Sequence, residues 1–267
     1  MCWLLLLLSL AAFLVSLLTW VPAVHFVWAW KMAILAGEYG HRLVVAPLAV
    51  AAAAWWTVAG EWRIAILVLS AGAVAGFLRP ALAARRIAAG LPRELAAAFR
   101  AGRSRHAPFA WRRLYLGEPR TRTSVRTEVF ARTGGEDLEL DFYGPVADLR
   151  GPARPCVVII HGGGWDAGDR FQLTAWNHRL VGEGFTAAAV SYRLAPKWPW
   201  PAQQEDLAAA IAWIKARAPE LGVDPARLVL LGRSAGGQLA TAVGYGARDP
   251  AVRGVIALYG PHDMPFA

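Results

Sequence analysis

Three stretches near the start of the chain carry almost no polar punctuation. From Met1 to Trp30 there is no Asp, Glu, Lys or Arg, and WLLLLLSLAAFLVSLLTWV runs apolar for 19 residues from Trp3 to Val21, about the length of a helix that crosses the hydrocarbon core. The absence of a basic leading segment and the length of the run favour an uncleaved anchor over a signal peptide. LVVAPLAVAAAAWWTVA (43–59) and IAILVLSAGAVAGFL (64–78) follow, split by Glu61-Trp62-Arg63. Neither shows an amphipathic face, so the pair predicts a short hairpin of two spans. Arg63 and Arg79 would reach the two interfaces, and Trp55, Trp56 and Trp62 would sit in a headgroup belt. VHFVWAWKMAILAG (24–37) reads as a partial span or an interfacial helix.

From about residue 124 the pattern changes. SVRTEVFA and LELDFYGP alternate apolar with polar positions as half-buried antiparallel strands do, and Thr133-Gly134-Gly135-Glu136-Asp137 joins them as a turn. CVVII, TAAAVSYRL, RLVLLG and VRGVIALYG are apolar runs of strand length. Between them lie helical segments: FQLTAWNHRLVGEG, AQQEDLAAAIAWIKARA and AGGQLATAVGYGAR. Strands alternating with helices predict a doubly wound, mostly parallel α/β sheet with an antiparallel edge. The expected organisation is a membrane anchor of two or three transmembrane helices over 1–78, a basic juxtamembrane linker over 79–120, and the α/β domain over 121–267. Within the linker, RELAAAFRAG predicts a helix that starts at Leu91-Pro92, ends near Gly102 and lies against the membrane.

Charge sharpens this division. The net charge of +9 is carried by the middle: residues 79–132 hold thirteen basic against three acidic groups, while 133–267 hold twelve against fourteen. Arginine directly after an apolar span is the positive-inside pattern and favours anionic headgroups over a nucleic-acid partner. It predicts a multi-pass membrane protein with the α/β domain in the cytoplasm and the N-terminus outside. Cys2 and Cys156 lie too far apart in this organisation to be bridged, which predicts free thiols.

Candidate chemistry appears at two strand ends. RLVLL runs into Gly232-Arg233-Ser234-Ala235-Gly236 and then into a helix, the context of a nucleophile elbow. Only small residues at 232 and 236 fit such a turn, which lifts Ser234 above the sheet at a helix N-terminus. Upstream, VVIIHGGGWDAGD ends a strand in His161-Gly162-Gly163-Gly164-Trp165. A glycine run there can aim several N–H groups at one point, so Gly163, Gly164 and Ala235 are the expected oxyanion hole for a nucleophilic Ser234. The run lacks the Lys and Ser/Thr of a phosphate-binding loop. His161 and Gly162 are expected to hold the loop, and Asp166 and Asp169 to cap it. Nothing in this chemistry asks for a metal or an organic cofactor, and no oligomeric state is fixed.

His-Gly-Gly-Gly-Trp, then SYRLAPKWPWPAQQEDLAAAIAWI, then LGRSAGGQLA resemble the hormone-sensitive-lipase-like carboxylesterases of the α/β-hydrolase superfamily, from about residue 125 onward. The resemblance implies a serine esterase acting on small-molecule esters, lipid-like ones included given the anchor, through an acyl-enzyme. It also implies structural roles for Tyr192 to Pro196 and for Glu205-Asp206. Arg233 departs from the Asp usual in that branch, which leaves formamidase-like amide cleavage as an alternative. The implied order is serine, acid, histidine, with both partners after later strands. Only VRGVIALYG and PHDMPFA follow, so the domain is expected to lack its last strands and the chain alone to be nearly inactive. His262, beside Asp263, is the one substitute base within reach. A non-catalytic membrane-bound interaction module is the remaining reading.

Overall fold

The structure is a computed structural model that describes residues 2–21, 27–99, 110–117, 122–145, 151–246 and 248–262. The chain divides into two compact units, Met1–Gly117 and Glu118–Ala267. Part of the basic linker, residues 100–109 and 118–121, lies outside the described residues, as does Asp263.

The first unit is helical: α1 (Cys2–Leu17), α2 (Val27–Leu43), α3 (Val45–Thr57), α4 (Gly60–Phe99) and α5 (Trp111–Leu116). Of the apolar runs expected to span, only the third belongs to a helix long and apolar enough to do so, the 40-residue α4. The helices α1 and α3 stop at 16 and 13 residues, short of the ~20 that a hydrocarbon core requires.

A second difference is that α4 does not break where Leu91-Pro92 predicts a new start; it runs through both Pro80 and Pro92. A proline inside a helix leaves the carbonyl four residues back without its N–H partner. For Pro80 that carbonyl belongs to Gly76, and Thr19 Oγ1 donates to it at 3.0 Å. The hydroxyl at the end of α1 thus replaces the missing bond, and the helix continues. The stretch beyond, residues 81–99, is mostly exposed, where a carbonyl freed by Pro92 is open to solvent.

Close packing in this unit uses small residues. Ser9, Ser16, Ser70, Ala54 and Ala73 are buried, and a Cβ at Gly72 or Gly76 would strike Phe13 or Ser16 of α1. The buried hydroxyls of Ser9 and Ser16 donate back to Leu6 O and Phe13 O at 2.9 and 2.7 Å. The large apolar side chains point outward instead: Trp56 is 84% exposed and Val68 65%, with Trp3, Leu7, Leu14 and Ile64 alongside. Aromatic and arginine side chains mark both ends of the apolar part of α4. At one end Trp3 meets Trp62 at 4.8 Å and Arg63 covers Trp55; at the other Arg79 lies over Trp20 and donates to Thr19 O.

The second unit is a mixed six-stranded sheet with helices on both faces. Its elements are β1 (Thr123–Thr133), β2 (Glu136–Pro145), β3 (Arg154–Ile160), α6 (Thr174–Gly182), β4 (Thr186–Val190), α7 (Ala202–Ala216), α8 (Ala218–Leu221), β5 (Val223–Arg233), α9 (Ala235–Gly246) and β6 (Val252–Leu258). Strand order is β1-β2-β4-β3-β5-β6. The strands β4, β3, β5 and β6 are mutually parallel, while β2 runs antiparallel to both β1 and β4. Gly134 and Gly135, at φ 59° and 79°, close the β1–β2 hairpin that the sequence predicts.

Alternation along the buried strands sends Val158, Ile160, Ala188, Val190, Leu228 and Leu230 to a core shared with α7 and α9. Val157, Ile159, Ala187, Ala189 and Leu231 go to a second core that includes Val181 of α6. One strand is shorter than its apolar run predicts: β4 stops at Val190 rather than Leu194. The segment is diverted because Asp206 takes the backbone N–H of Arg193 at 2.9 Å and its guanidinium at 2.7 Å. This nearly buried ion pair holds Tyr192 to Pro196 in an irregular course and fixes where the Tyr192 ring lies. Both cysteines are free, and burial pushes the Cys156 thiol up to about 12.

Candidate active site

The elbow is set by sterics. Ser234 stands between β5 and α9 with φ 51°, a left-handed conformation that costs a non-glycine residue free energy and persists only where the surroundings enforce it. They do so through close approach: a Cβ at Gly232 would run into the Gly236 carbonyl, and one at Gly236 into the carbonyls of Ile160 and His161. Ser234 N–H is fixed by Leu258 O of β6 at 2.9 Å, and Ser234 O accepts from Gly237 and Gln238 as α9 begins. Ser234 as a whole is half-buried. Ala235 N–H opens α9 and so shares the positive end of the helix dipole.

The glycine loop leaves β3 and lies directly on this turn. A Cβ at Gly162 would sit 2.8 Å from Arg233 O and 3.3 Å from Ser234 Cβ. Gly163, at φ 139°, adopts a backbone only glycine takes readily, and its carbonyl closes the loop by accepting Ala167 N–H at 2.9 Å. Trp165 anchors the far side: its Nε1 donates to Gln238 of α9 at 3.3 Å, and its carbonyl accepts Ala195 N–H. Gly162, Gly163, Gly164, Gly232, Ser234, Ala235 and Gly236 are therefore neighbours, at the carboxyl ends of β3 and β5 where open α/β sheets bind ligands.

His161 is buried beneath the loop. Its ring stacks on Tyr192 with centroids 4.1 Å apart and planes at 9°, and Nδ1 lies 3.0 Å from Gly162 O. Tyr192 donates its hydroxyl to His161 O at 3.1 Å. Desolvation by burial lowers the His161 pKa below its usual value, and the Arg233 charge adds to this against the opposing Gly162 hydrogen bond and Asp169 charge. Burial likewise raises the Tyr192 phenol. His161 is thus a neutral support, with no hydrogen bond to Ser234. His262 is exposed beside Gly260 and has no hydrogen bond to Ser234 either. Asp169 Oδ1 caps Phe171 N–H at 2.9 Å.

Two residues join the site without a sequence signal for that role. Gln172 is bonded to both polar groups of the Gly162 peptide, and Arg233 is bonded to Gln172. The arginine is visible in the sequence only as the departure beside Ser234. Two cavities, of about 600 and 360 Å3, are present: one between α7, α9 and β6, the other beside the glycine loop, lined by His161, Asp169, Tyr192 and Trp198. Ser234 lines neither. Among the described residues no cluster of His, Cys, Asp and Glu could hold a metal ion.

Part of the chain is similar to known esterases. The BD-FAE family model matches residues 140–265. The carboxylesterase NlhH of Mycobacterium tuberculosis is 43% identical over 97 residues, 36% of this chain and 30% of that protein. The ethyl acetate hydrolase of Pseudomonas putida is 37% identical over 109 residues, covering 40% and 34%. Among solved structures, a bacterial heroin esterase matches at 36% identity with a TM-score of 0.45, covering 50% of this chain and 42% of that one. The chain spans about a third of the length of these curated relatives. Its second unit has an α/β-hydrolase-like mixed sheet and is similar in sequence, over part of its length, to carboxylesterases.

Proposed function

We propose that the chain is a serine hydrolase that cleaves carboxylic esters through an acyl-enzyme on Ser234, held at a membrane by its first unit. The observation that carries the catalytic half is the strained Ser234 at the β5–α9 junction with the glycine loop seated on it backbone to backbone. In the proposed step Ser234 Oγ attacks the ester carbonyl while its proton passes to a base. The carbonyl oxygen takes up the charge and accepts hydrogen bonds from the N–H groups of Gly163, Gly164 and Ala235. Collapse expels the alcohol, which receives the proton, and water then releases the acid. The activities in the names of the relatives, a carboxylesterase and an ethyl acetate hydrolase, support carboxylic esters as the class.

No described histidine is hydrogen-bonded to Ser234 Oγ, so turnover by these 267 residues alone is proposed to be slow. An elbow with its oxyanion donors retains roughly 10³–10⁴-fold rate enhancement over water without its other partners. The expected result with a fluorescent fluorophosphonate is slow, stoichiometric labelling of the detergent-solubilised chain that disappears in Ser234→Ala. A folded wild-type chain that stays unlabelled, or an alanine variant that labels equally, overturns the reading. A panel of short esters against aryl formamides should favour the esters.

The membrane half rests on the outward-facing apolar side chains of the first unit and on its terminal markers. The Trp-Arg groups at Arg63 and Arg79 lie 16 residues apart on α4, about 24 Å at 1.5 Å per residue, close to the hydrocarbon thickness. The arginines that follow support a cytoplasmic side for the hydrolase in this reading. Esters with apolar acyl chains, delivered from the bilayer, are the proposed substrates.

A further inference from the structure

We propose that Arg233 and Gln172 form a clamp that aims the glycine loop at Ser234, an inference that rests on the esterase reading of this site. Arg233 Nη2 donates to Gln172 Oε1 at 2.6 Å. The same oxygen accepts Gly162 N–H at 3.2 Å, and Gln172 Nε2 donates to Gly162 O at 3.2 Å. A guanidinium offers only N–H groups, so it selects which end of the Gln172 amide faces it. The carbonyl oxygen must turn toward Arg233, and the NH2 group is thereby delivered to the Gly162 carbonyl. Rotated the other way, the amide would set its NH2 against both the guanidinium and Gly162 N–H, and its oxygen against the Gly162 carbonyl.

The consequence reaches the next two residues. With both polar groups of Gly162 tied, the peptide that leads into Gly163 and Gly164 has one orientation, and so have their N–H groups. His161 Nδ1, 3.0 Å from the same Gly162 carbonyl, adds a second contact to it. Because Arg233 is the residue directly before Ser234, one segment of backbone carries both the nucleophile and the cation that registers its oxyanion donors. The link is charge-assisted and short, the kind that holds geometry best. Arg233 and Gln172 are positioning residues: neither touches the reacting atoms.

The test compares Arg233→Met, Gln172→Ala and the double variant with the full wild-type chain. Backbone hydrogen exchange over residues 162–167 should rise about tenfold in each single variant and no further in the double, with β3 and β5 unchanged. The rate of Ser234 phosphonylation at saturating fluorophosphonate should fall roughly 10–100-fold, the scale of a misaimed oxyanion donor. The half-saturating concentration should stay constant, and Arg233→Lys should recover part of the rate. Unchanged exchange in both single variants, or a double variant showing the product of two independent losses, overturns the clamp. Absence of labelling in folded wild type overturns the esterase reading instead, and the exchange measurement still decides the clamp. Gln172 is half-buried on a loop, so its alanine variant serves if Arg233→Met does not fold.

Discussion

The two units of this chain distribute the same kinds of side chain in opposite directions. In the second, Leu, Ile and Val fill two cores on either face of the sheet, and arginines such as Arg132 and Arg227 lie outside, paired with Asp137 and Asp224. In the first, serine, alanine and glycine occupy the helix contacts, and Leu, Trp and Val face outward. The lesson concerns what drives assembly. Where water surrounds a fold, burying large apolar groups stabilises it by about 25 cal/mol per Å2; in the lipid proposed for the first unit that gain would vanish and close backbone approach through small residues would take over.

The buried histidines show the same contrast. The His161 ring stacks on Tyr192 and sets Nδ1 against Gly162 O, while its backbone carbonyl accepts the Tyr192 hydroxyl. His41 at the end of α2 meets the Tyr115 ring edge-on and leaves its Nε2 without a hydrogen bond among the described residues.

Substitutions that reverse polarity should separate the units. The largest effect is expected from Leu230→Asp, which buries an unpaired carboxylate in β5 at a fully covered position; a loss of more than about 4 kcal/mol should abolish cooperative unfolding of the hydrolase domain. Val68→Arg in α4 should cost about 2.5–3.5 kcal/mol of membrane insertion and shift protein from the carbonate-resistant pellet to the supernatant. Were that face surrounded by water, the same change would leave the distribution untouched. The smallest effect is a slope. Because His161 is held below its usual pKa by burial, the unfolded chain binds its proton first, so stability should decline as pH falls below about 6.5 toward the folded value. Urea midpoints measured from pH 7.5 to 5 should show the decline, and His161→Gln should flatten it.

Much of the second unit is legible in the sequence because local and global preferences agree there. The Gly134-Gly135 turn, the continuous β3 and β5 runs, and the elbow each stand where the residue pattern predicts. What sequence patterns miss depends on partners far along the chain. Thr19 bridges the gap that Pro80 makes, 61 residues away, and so α4 runs on past it. Asp206 ends β4 early by drawing Arg193 aside. Gln172 falls in the run predicted as helix, but α6 starts only at Thr174, and its bond to Arg233 crosses 61 residues; neither residue alone hints at the other.

The strand order has a consequence in time. The strand β3 carries the glycine loop and is flanked by β4 and β5, both synthesised after it. At ribosomal rates of ~5–20 residues per second, the roughly seventy residues between the end of β3 and the end of β5 take on the order of 4–15 s to appear. For that interval the most apolar strand of the domain has at least one bare edge, and hairpins form in microseconds. The nascent chain therefore spends its most aggregation-prone seconds beside the ribosome, with β1 and β2 already paired and the nucleophile not yet made.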